Sequence, residues 1–283
     1  TLMIGCSDMG TGCDTILSQM AADILETDLD NVIPFGVDTD ISPYDSGSYA
    51  SATTYITGKA VAKAAENLKE KVIKMGASML EVEPDEVTFN GKCVEKKDQS
   101  AKVTLPEIGV RGTFGNNDAL QVTENCGAEI SPPPYMVGIA EVEIDKETGN
   151  VELIDYVAVV DCGTPINPNL ARVQTEGGIA QGIGMALFED IQYTEKGAMA
   201  NNSLMQYKIP SRLDVGKIRV EFKPSYEKSH PFGAKSIGEI VIDTPCPAIA
   251  NAVYNAVGLR VEEMPIKPEK IAMALSDDCK MYE

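Results

Sequence analysis

The sequence predicts an α+β fold with mixed sheets, divided into a first part, residues 1–133, and a second, residues 134–283. Three observations lead there. Strand-like and helix-like patterns alternate without the regular βαβ repeat of a wholly parallel sheet. Helical apolar periodicity near 57–80 and an unusual glycine-bearing helix at 167–188 flank two alternating segments, 136–144 and 151–160, that read as a hairpin. Between the parts, residues 101–134 hold few periodic apolar positions and end in Pro132-Pro133-Pro134, the mark of an irregular connector. At 283 residues and 43% apolar content, the chain can bury the cores of about two domains.

Composition excludes several classes. A formal charge of −19 with no Lys/Arg run argues against nucleic acid and anionic membrane as partners. No 18-residue apolar window is present, so no spanning helix is expected, and no signal peptide is visible. The seven cysteines (6, 13, 93, 126, 162, 246 and 279) form no Cys-x-x-Cys, and there is one histidine. That excludes a zinc ribbon or an encoded iron–sulfur cluster, and reduced thiols in a cytoplasmic protein are expected. The apolar opening Thr1–Gly5 carries no initiator Met and reads as a chain that begins mid-fold.

Taken in order, Leu2–Gly5 is a short buried strand leading to the loop Asp8–Cys13. Asp14 is the expected cap of a helix whose apolar positions are Ile16, Leu17, Met20, Ala21, Ile24 and Leu25. Gly10 and Gly12 then precede a helix N-terminus, where free amides and the dipole favour an anion. The loop lacks the third glycine of a dinucleotide fingerprint, and Gly58-Lys59-Ala60 lacks a Walker A context, so read alone it is a plain turn before it is a nucleotide loop. Val32–Val37 is a second strand feeding Asp38–Ser51, a loop of turn formers. A helix over 57–80 buries Val61, Ala65, Leu68, Val72, Met75 and Met79. Residues 81–100 form a hairpin around Asn90-Gly91.

In the second part, the strands 136–144 and 151–160 are joined by Asp145–Gly149, and Cys162 at the strand end is a small buried thiol. The helix from Asn167-Pro168 to Phe188 carries Gly177, Gly178, Gly182 and Gly184. Each glycine costs about 1 kcal/mol relative to Ala, so another helix or a bulky ligand must come close. Phe188–Tyr193, Gln206–Ile209 and Ile218–Phe222 read as strands, and His230 as a loop residue with no partner. Glu239 lies between Gly238 and the run Ile240-Val241-Ile242, ahead of a helix Ala248–Val257 with Gly258 as its C′ residue. A carboxylate in apolar surroundings has its charged form disfavoured, which raises its pKa toward general-base range; the alternative is a Glu at a strand end with its head in water. Pro268–Leu275 is a short terminal helix.

Four stretches, Asp8–Gly12, Val37–Ser51, Glu176–Gly182 and Gly233–Pro247, occur in an order that resembles the molybdenum hydroxylases, the xanthine dehydrogenase/aldehyde oxidase family. The match is to the C-terminal half of their molybdopterin-binding subunit. The resemblance implies two α/β subdomains straddling an elongated cofactor, molybdopterin with molybdenum, either as such or as its cytosine dinucleotide. It implies cofactor contacts from Gly10, Thr11 and Gly12, from Ser48, Ala50, Ser51 and Thr53, and from Gln181, with Glu239 as general base. No side chain need ligate the metal, which the pterin dithiolene holds. Thr11 departs from the family's Gln. The implied reaction is hydroxylation of an aldehyde or N-heterocycle with water as oxygen source. The implied partners are the upstream half of the molybdenum subunit, an iron–sulfur subunit and an FAD subunit, which carry the iron–sulfur clusters and FAD. Two other readings stand beside it: a non-catalytic cofactor-loading or assembly protein, and a nucleotide-binding module, which the missing phosphate-binding Lys disfavours.

Overall fold

The computed structural model describes residues 1–115, 119–127 and 130–276. Their contacts divide into two compact units. The first is Thr1–Pro132 together with Glu227–Ser236, and the second is Pro133–Tyr226 with Ile237–Glu283. The return of 227–236 to the first unit differs from a single cut at 133/134, because sequence distance does not report which core a late loop joins.

In the first unit, β1 (Leu2–Met3) pairs in parallel with β2 (Pro34–Phe35). The expected strand over 32–37 is thus only two residues long. Helix α1 (Cys13–Ile24) buries Ile16, Leu17, Met20 and Ala21 and packs on α2 (Gly58–Met79). Along α2, Val61, Ala65 and Val72 are buried, while Leu68, Met75 and Met79 are half-buried. A π-helical turn, Thr53–Thr57, leads into α2.

The far end of α2 covers an antiparallel sheet of β3 (Val87–Phe89), β4 (Cys93–Lys96) and β5 (Lys102–Thr104). Val72, Ala77, Val87, Val94 and Ile108 form its core. Gly76 allows this contact, because a Cβ there would sit 2.6 Å from the Val94 side chain. The hairpin turn at Asn90-Gly91 is as expected, with Gly91 at φ 78°.

Residues 102–114 correct the sequence reading of an irregular connector. They form β5 and a helix, α3 (Leu105–Phe114). Thr104 and Glu107 make a reciprocal capping box, with Pro106 in the first turn. The signal was present as Thr-Leu-Pro-Glu, the spacing at which a hydroxyl and a carboxylate each satisfy an orphan amide of a helix start.

His230 is also corrected. It is 1% exposed, packed beside Tyr55 and Phe232, with Gly58 and Met20 close by. Its Nδ1 accepts from the amides of Phe232 and Ala234, which leaves the proton on Nε2. Nε2 is directed toward the Thr54 carbonyl without closing a well-formed hydrogen bond. Burial, reinforced by Lys59, lowers its pKa from 6.5 to about 4 against the opposing pull of that carbonyl and Glu227. The unfolded chain therefore takes up a proton that the folded chain refuses. The resulting stability is full above pH 6.5 and drains away as the pH falls toward 4. A shift of that size corresponds to no more than about 3 kcal/mol. Urea unfolding of wild type and His230→Phe across this window should show the variant less stable at neutral pH and shallower in slope by about one proton. Parallel slopes would disprove the assignment.

The second unit is built on a mixed sheet in the order β6–β7–β8. β6 (Tyr135–Ile144) and β7 (Val151–Asp161) are antiparallel, and β8 (Lys217–Phe222) runs parallel to β7. Alternation places Leu153, Tyr156, Ala158 and Val160 inward against helix α4 (Pro168–Leu187), helix α6 (Pro245–Val257) and helix α7 (Pro268–Leu275). Cys162 is buried, as expected. Gly138 makes room for the Tyr156 ring, whose hydroxyl donates to Thr244 Oγ1 at 2.9 Å.

Two expected strands are absent. Around 188–193 the chain makes one isolated bridge, Tyr193 to Met199, and 206–209 lies in turns and irregular backbone. Their short apolar patterns lacked a neighbouring strand with which to pair. The run after Glu239 is the third difference: it forms a short helix, α5 (Ile240–Asp243), whose Val241 is buried. Three consecutive aliphatics carry no periodicity able to separate strand from helix.

Candidate functional site

In the first unit the two predicted loops meet. Ser48 Oγ donates to the Ser7 carbonyl at 3.1 Å, tying the serine-rich loop to the Asp8–Gly12 loop. Gly5 lies against Pro43 and Asp45 with no room for a Cβ. Ala50 and Ser51 both stand in the left-handed region, at φ 52° and 51°. Two successive non-glycine residues there are strained, and such strain persists where surrounding contacts over-determine it, often at ligand sites. Thr53 opens the π-helical turn.

The loop before α1 is arranged differently from expectation. Gly12, at φ 74°, occupies the N-cap position, and Asp14 is inside the helix. The capping carboxylate is Asp8. Its Oδ1 accepts from the amides of Gly10 and Gly12 at 2.9 and 3.1 Å, and its Oδ2 from Asp14 at 3.3 Å. Partial burial pushes the Asp8 carboxyl up, but these amides together with that of Thr11 outweigh it and hold its pKa below the usual carboxylate range. The amides expected to be free for an anion are thus already engaged by an internal one. Thr11 Oγ1, in contrast, is buried without a hydrogen-bond partner, with the Cys13 sulfur its close polar neighbour.

In the second unit, the glycines of α4 divide by face. Gly178 receives the Val241 side chain of α5 in space that a Cβ would occupy. Gly182 receives Pro245 and the Ile242 carbonyl, at 2.6 and 2.8 Å from a built Cβ. Helix–helix contact therefore explains these two. Gly177 has open space where its side chain would be, and Gln181, one turn on, is exposed. Gln181 thus lies on the open face of α4, away from the face that Gly178 and Gly182 pack. Glu239 is the N-cap residue of α5 and is exposed. The aliphatics beside it turn into the unit and leave the carboxylate outside, so the expected apolar enclosure is not provided by its own neighbours. Gly178 and Gly182 nevertheless seat the helix that Glu239 begins directly on the helix that carries Gln181.

Among the described residues no helix is long and apolar enough to cross a membrane. Six cysteines are free among those residues, and Cys279 lies outside them.

The strained, hydroxyl-bearing loops of the first unit and, in the second, the open Gly177–Gln181 face and the exposed Glu239 at the start of α5 are the candidate ligand-facing features of this α+β chain. Comparison with known proteins specifies its class. Residues 1–216 match the model of the molybdopterin cofactor-binding domain. The chain belongs to this family, the molybdenum hydroxylases of the xanthine dehydrogenase type. It is 36% identical over 275 residues to the probable hypoxanthine oxidase of Escherichia coli K12, covering 96% of this chain and 28% of that protein. It is 31% identical over 291 residues to the large subunit of nicotine 6-hydroxylase of Paenarthrobacter nicotinovorans, covering 97% of this chain and 35% of that one. The crystal structure of quinoline 2-oxidoreductase from Pseudomonas putida 86 superposes with a TM-score of 0.80 at 29% identity, over 96% of this chain and 36% of that chain. The chain thus spans about a third of the length of these relatives.

Proposed function

We propose that this chain is the cofactor-holding part of a cytoplasmic molybdenum-dependent hydroxylase that oxidises an aldehyde or an N-heterocycle, with Glu239 as general base. The observation that carries the reading is the seating of the Glu239 helix on the glycines of the helix bearing Gln181. That arrangement keeps a carboxylate and a carboxamide on rigid elements and exposed, as a group that must touch a ligand requires. The buried, unpartnered Thr11 hydroxyl and the strained Ala50-Ser51 pair support a polar ligand on the first unit.

Molybdenum carried by a pterin supplies two-electron oxidation chemistry, with water as the source of the oxygen transferred. The remaining roles fall to the chain. On the first unit, the hydroxyls of Thr11, Ser51 and Thr53 donate to pterin or phosphate oxygens, Ser48, whose hydroxyl hydrogen goes to the Ser7 carbonyl, offers the cofactor a lone pair, and Ala50 permits close backbone approach. The Gly10 and Gly12 amides serve once Asp8 gives way, its carboxylate standing where an anionic oxygen would bind. On the second unit, the Gln181 carboxamide hydrogen-bonds the cofactor, and a Glu239 carboxylate oxygen accepts the proton that the incoming oxygen gives up. Molybdopterin as its cytosine dinucleotide fits the same contacts. The rest of the molybdenum subunit, an iron–sulfur subunit and an FAD subunit complete the enzyme, so this chain is inactive by itself.

Metal and pterin analysis of the native complex purified through this chain tests the reading. Molybdenum and an organic pterin, with iron and flavin co-purifying, are expected. A colourless chain without molybdenum or partners, after cofactor-replete expression, would instead support a non-catalytic assembly protein. Thr11 in place of Gln and the amides engaged by Asp8 are the observations that favour that second reading.

A further inference from the structure

The parallel pair of β1 and β2 is a fragment of a sheet. Parallel strands occur almost always inside larger sheets with both faces covered, and an isolated two-stranded ribbon is marginal in water. Among the described residues this pair stands alone. One of its faces is closed, with Ile4 2% exposed. The other is bare. Met3 lies beside Phe35 in the register, and alternation puts Ile33 and Val37 on the same side as Phe35. All four are exposed, Ile33 at 63%. The uncharged run Val32–Val37 has the pattern of a strand buried on both faces, yet only two of its residues join a ladder.

Hydrogen bonding shows which edge is open. The amides of Leu2 and Ile4 donate to the carbonyls of Ile33 and Phe35, at 2.9 and 3.1 Å. Successive residues of a strand present their backbone groups to opposite edges, so those of Met3 face away from β2. The outward residue of β2 is Pro34, which has no N–H to offer a neighbour. A further strand therefore adds along β1. Its charge is set as well. Residues 1–58 hold nine Asp or Glu and no Lys, Arg or His, and Asp28, Asp30, Asp38 and Asp40, on either side of β2, are exposed. A second copy of this chain would bring the same acidic border and be repelled, whereas a strand flanked by Lys or Arg is attracted. Size points to its source: 96% of this chain aligns with only 36% of the quinoline 2-oxidoreductase chain, so most of that chain lies outside the match.

We propose that β1 and β2 are two strands of a larger sheet, completed by a basic-flanked strand from the remainder of the molybdenum subunit. That strand pairs along the Met3 edge of β1, and the chain beside it covers Met3, Ile33, Phe35 and Val37. The inference rests on the reading of this chain as one part of a molybdenum subunit. It adds where the two parts join: on the sheet whose first strand leads into the loop carrying Gly10, Thr11 and Gly12.

Photo-reactive benzoylphenylalanine in place of Phe35, irradiated in the native complex, tests the surface, with molybdenum and pterin measured on the same preparation. The expected cross-link is to a peptide of the remaining molybdenum subunit that alternates apolar residues and carries Lys or Arg. Deuterium exchange at residues 1–5 and 32–37 should be slower in the complex than in the 283-residue chain alone. Ile33→Lys should lower recovery of the partner polypeptide by about tenfold or more, and further than Ile33→Glu does. Both variants should unfold in urea with the wild-type chain, because residue 33 is exposed. A cross-link to a second copy, or unchanged exchange in a complex that contains molybdenum, would overturn the surface and leave the cofactor reading standing. So would a chain that carries molybdenum and pterin with no further polypeptide. The expected cross-link and slowed exchange in a complex without molybdenum would support the surface and remove the cofactor reading. A chain with neither partner nor molybdenum would overturn both.

Discussion

Glu239→Gln, made in the assembled complex, should lower turnover by about 100- to 10,000-fold while leaving molybdenum and pterin content unchanged. The substitution keeps shape and hydrogen-bonding reach but removes the oxygen that accepts a proton. Glu239 is exposed at the N-cap of α5, so the isosteric change should cost the fold little. Turnover by stopped-flow reduction, beside metal and pterin content of the same preparation, separates the two roles. Turnover within a few-fold of wild type would remove Glu239 from the chemistry. Parallel loss of cofactor and activity would make it a binding residue instead. A cofactor-loading protein would show neither change.

The second large effect concerns two adjacent glycines of α4 with opposite surroundings. Gly177 has open space where a Cβ would stand, whereas a Cβ on Gly178 would run into Val241 of α5. Gly177→Ala should therefore raise the stability of the chain by about 1 kcal/mol, the difference in helix propensity. Gly178→Val should lower it by about 3 kcal/mol, the cost of overpacking a filled contact against β-branched and backbone atoms that cannot swing aside. Urea unfolding of both variants against wild type measures the pair. Equal effects at the two positions would mean that α5 does not rest on α4 as described. The pair also bears on function, because Gly178→Val displaces the helix that Glu239 begins, and activity in the complex should fall with stability. Gly177→Ala leaves that packing alone, so any loss of activity there reports a ligand approaching the open face.

Much of the fold was legible in local chemistry. The hairpin of β6 and β7 followed from strict alternation around Asp145–Gly149, and α2, α4, α6 and α7 appeared close to their expected bounds. These elements are long, or capped by Pro and Gly in positions that favour one backbone state. The failures were short segments. Residues 188–193 and 206–209 carry strand-like residues but have no ladder to join, and 240–242 became helix because packing on glycines rewarded a tighter rise. The α3 helix was missed although its capping box was visible at Thr104 and Glu107.

For the candidate site, Glu239, Gln181 and the two loops were nominated by the order of their motifs. Their surroundings were not. Exposure of Glu239 depends on the direction in which Ile240, Val241 and Ile242 leave it, and that is decided when Val241 finds Gly178. Occupation of the Gly10 and Gly12 amides depends on Asp8 folding back two to four residues, a choice made by loop geometry. His230 shows the same division most clearly: a lone histidine in a Pro- and Gly-flanked stretch reads as loop, yet Tyr55, Gly58 and Met20, roughly 170–210 positions away, bury it. The sequence by itself determined the longer elements and the family, because periodicity, caps and motif order are properties of neighbouring positions. That Glu239 is exposed and that the one histidine is buried were decided only by tertiary structure, because burial is set by residues far away along the chain.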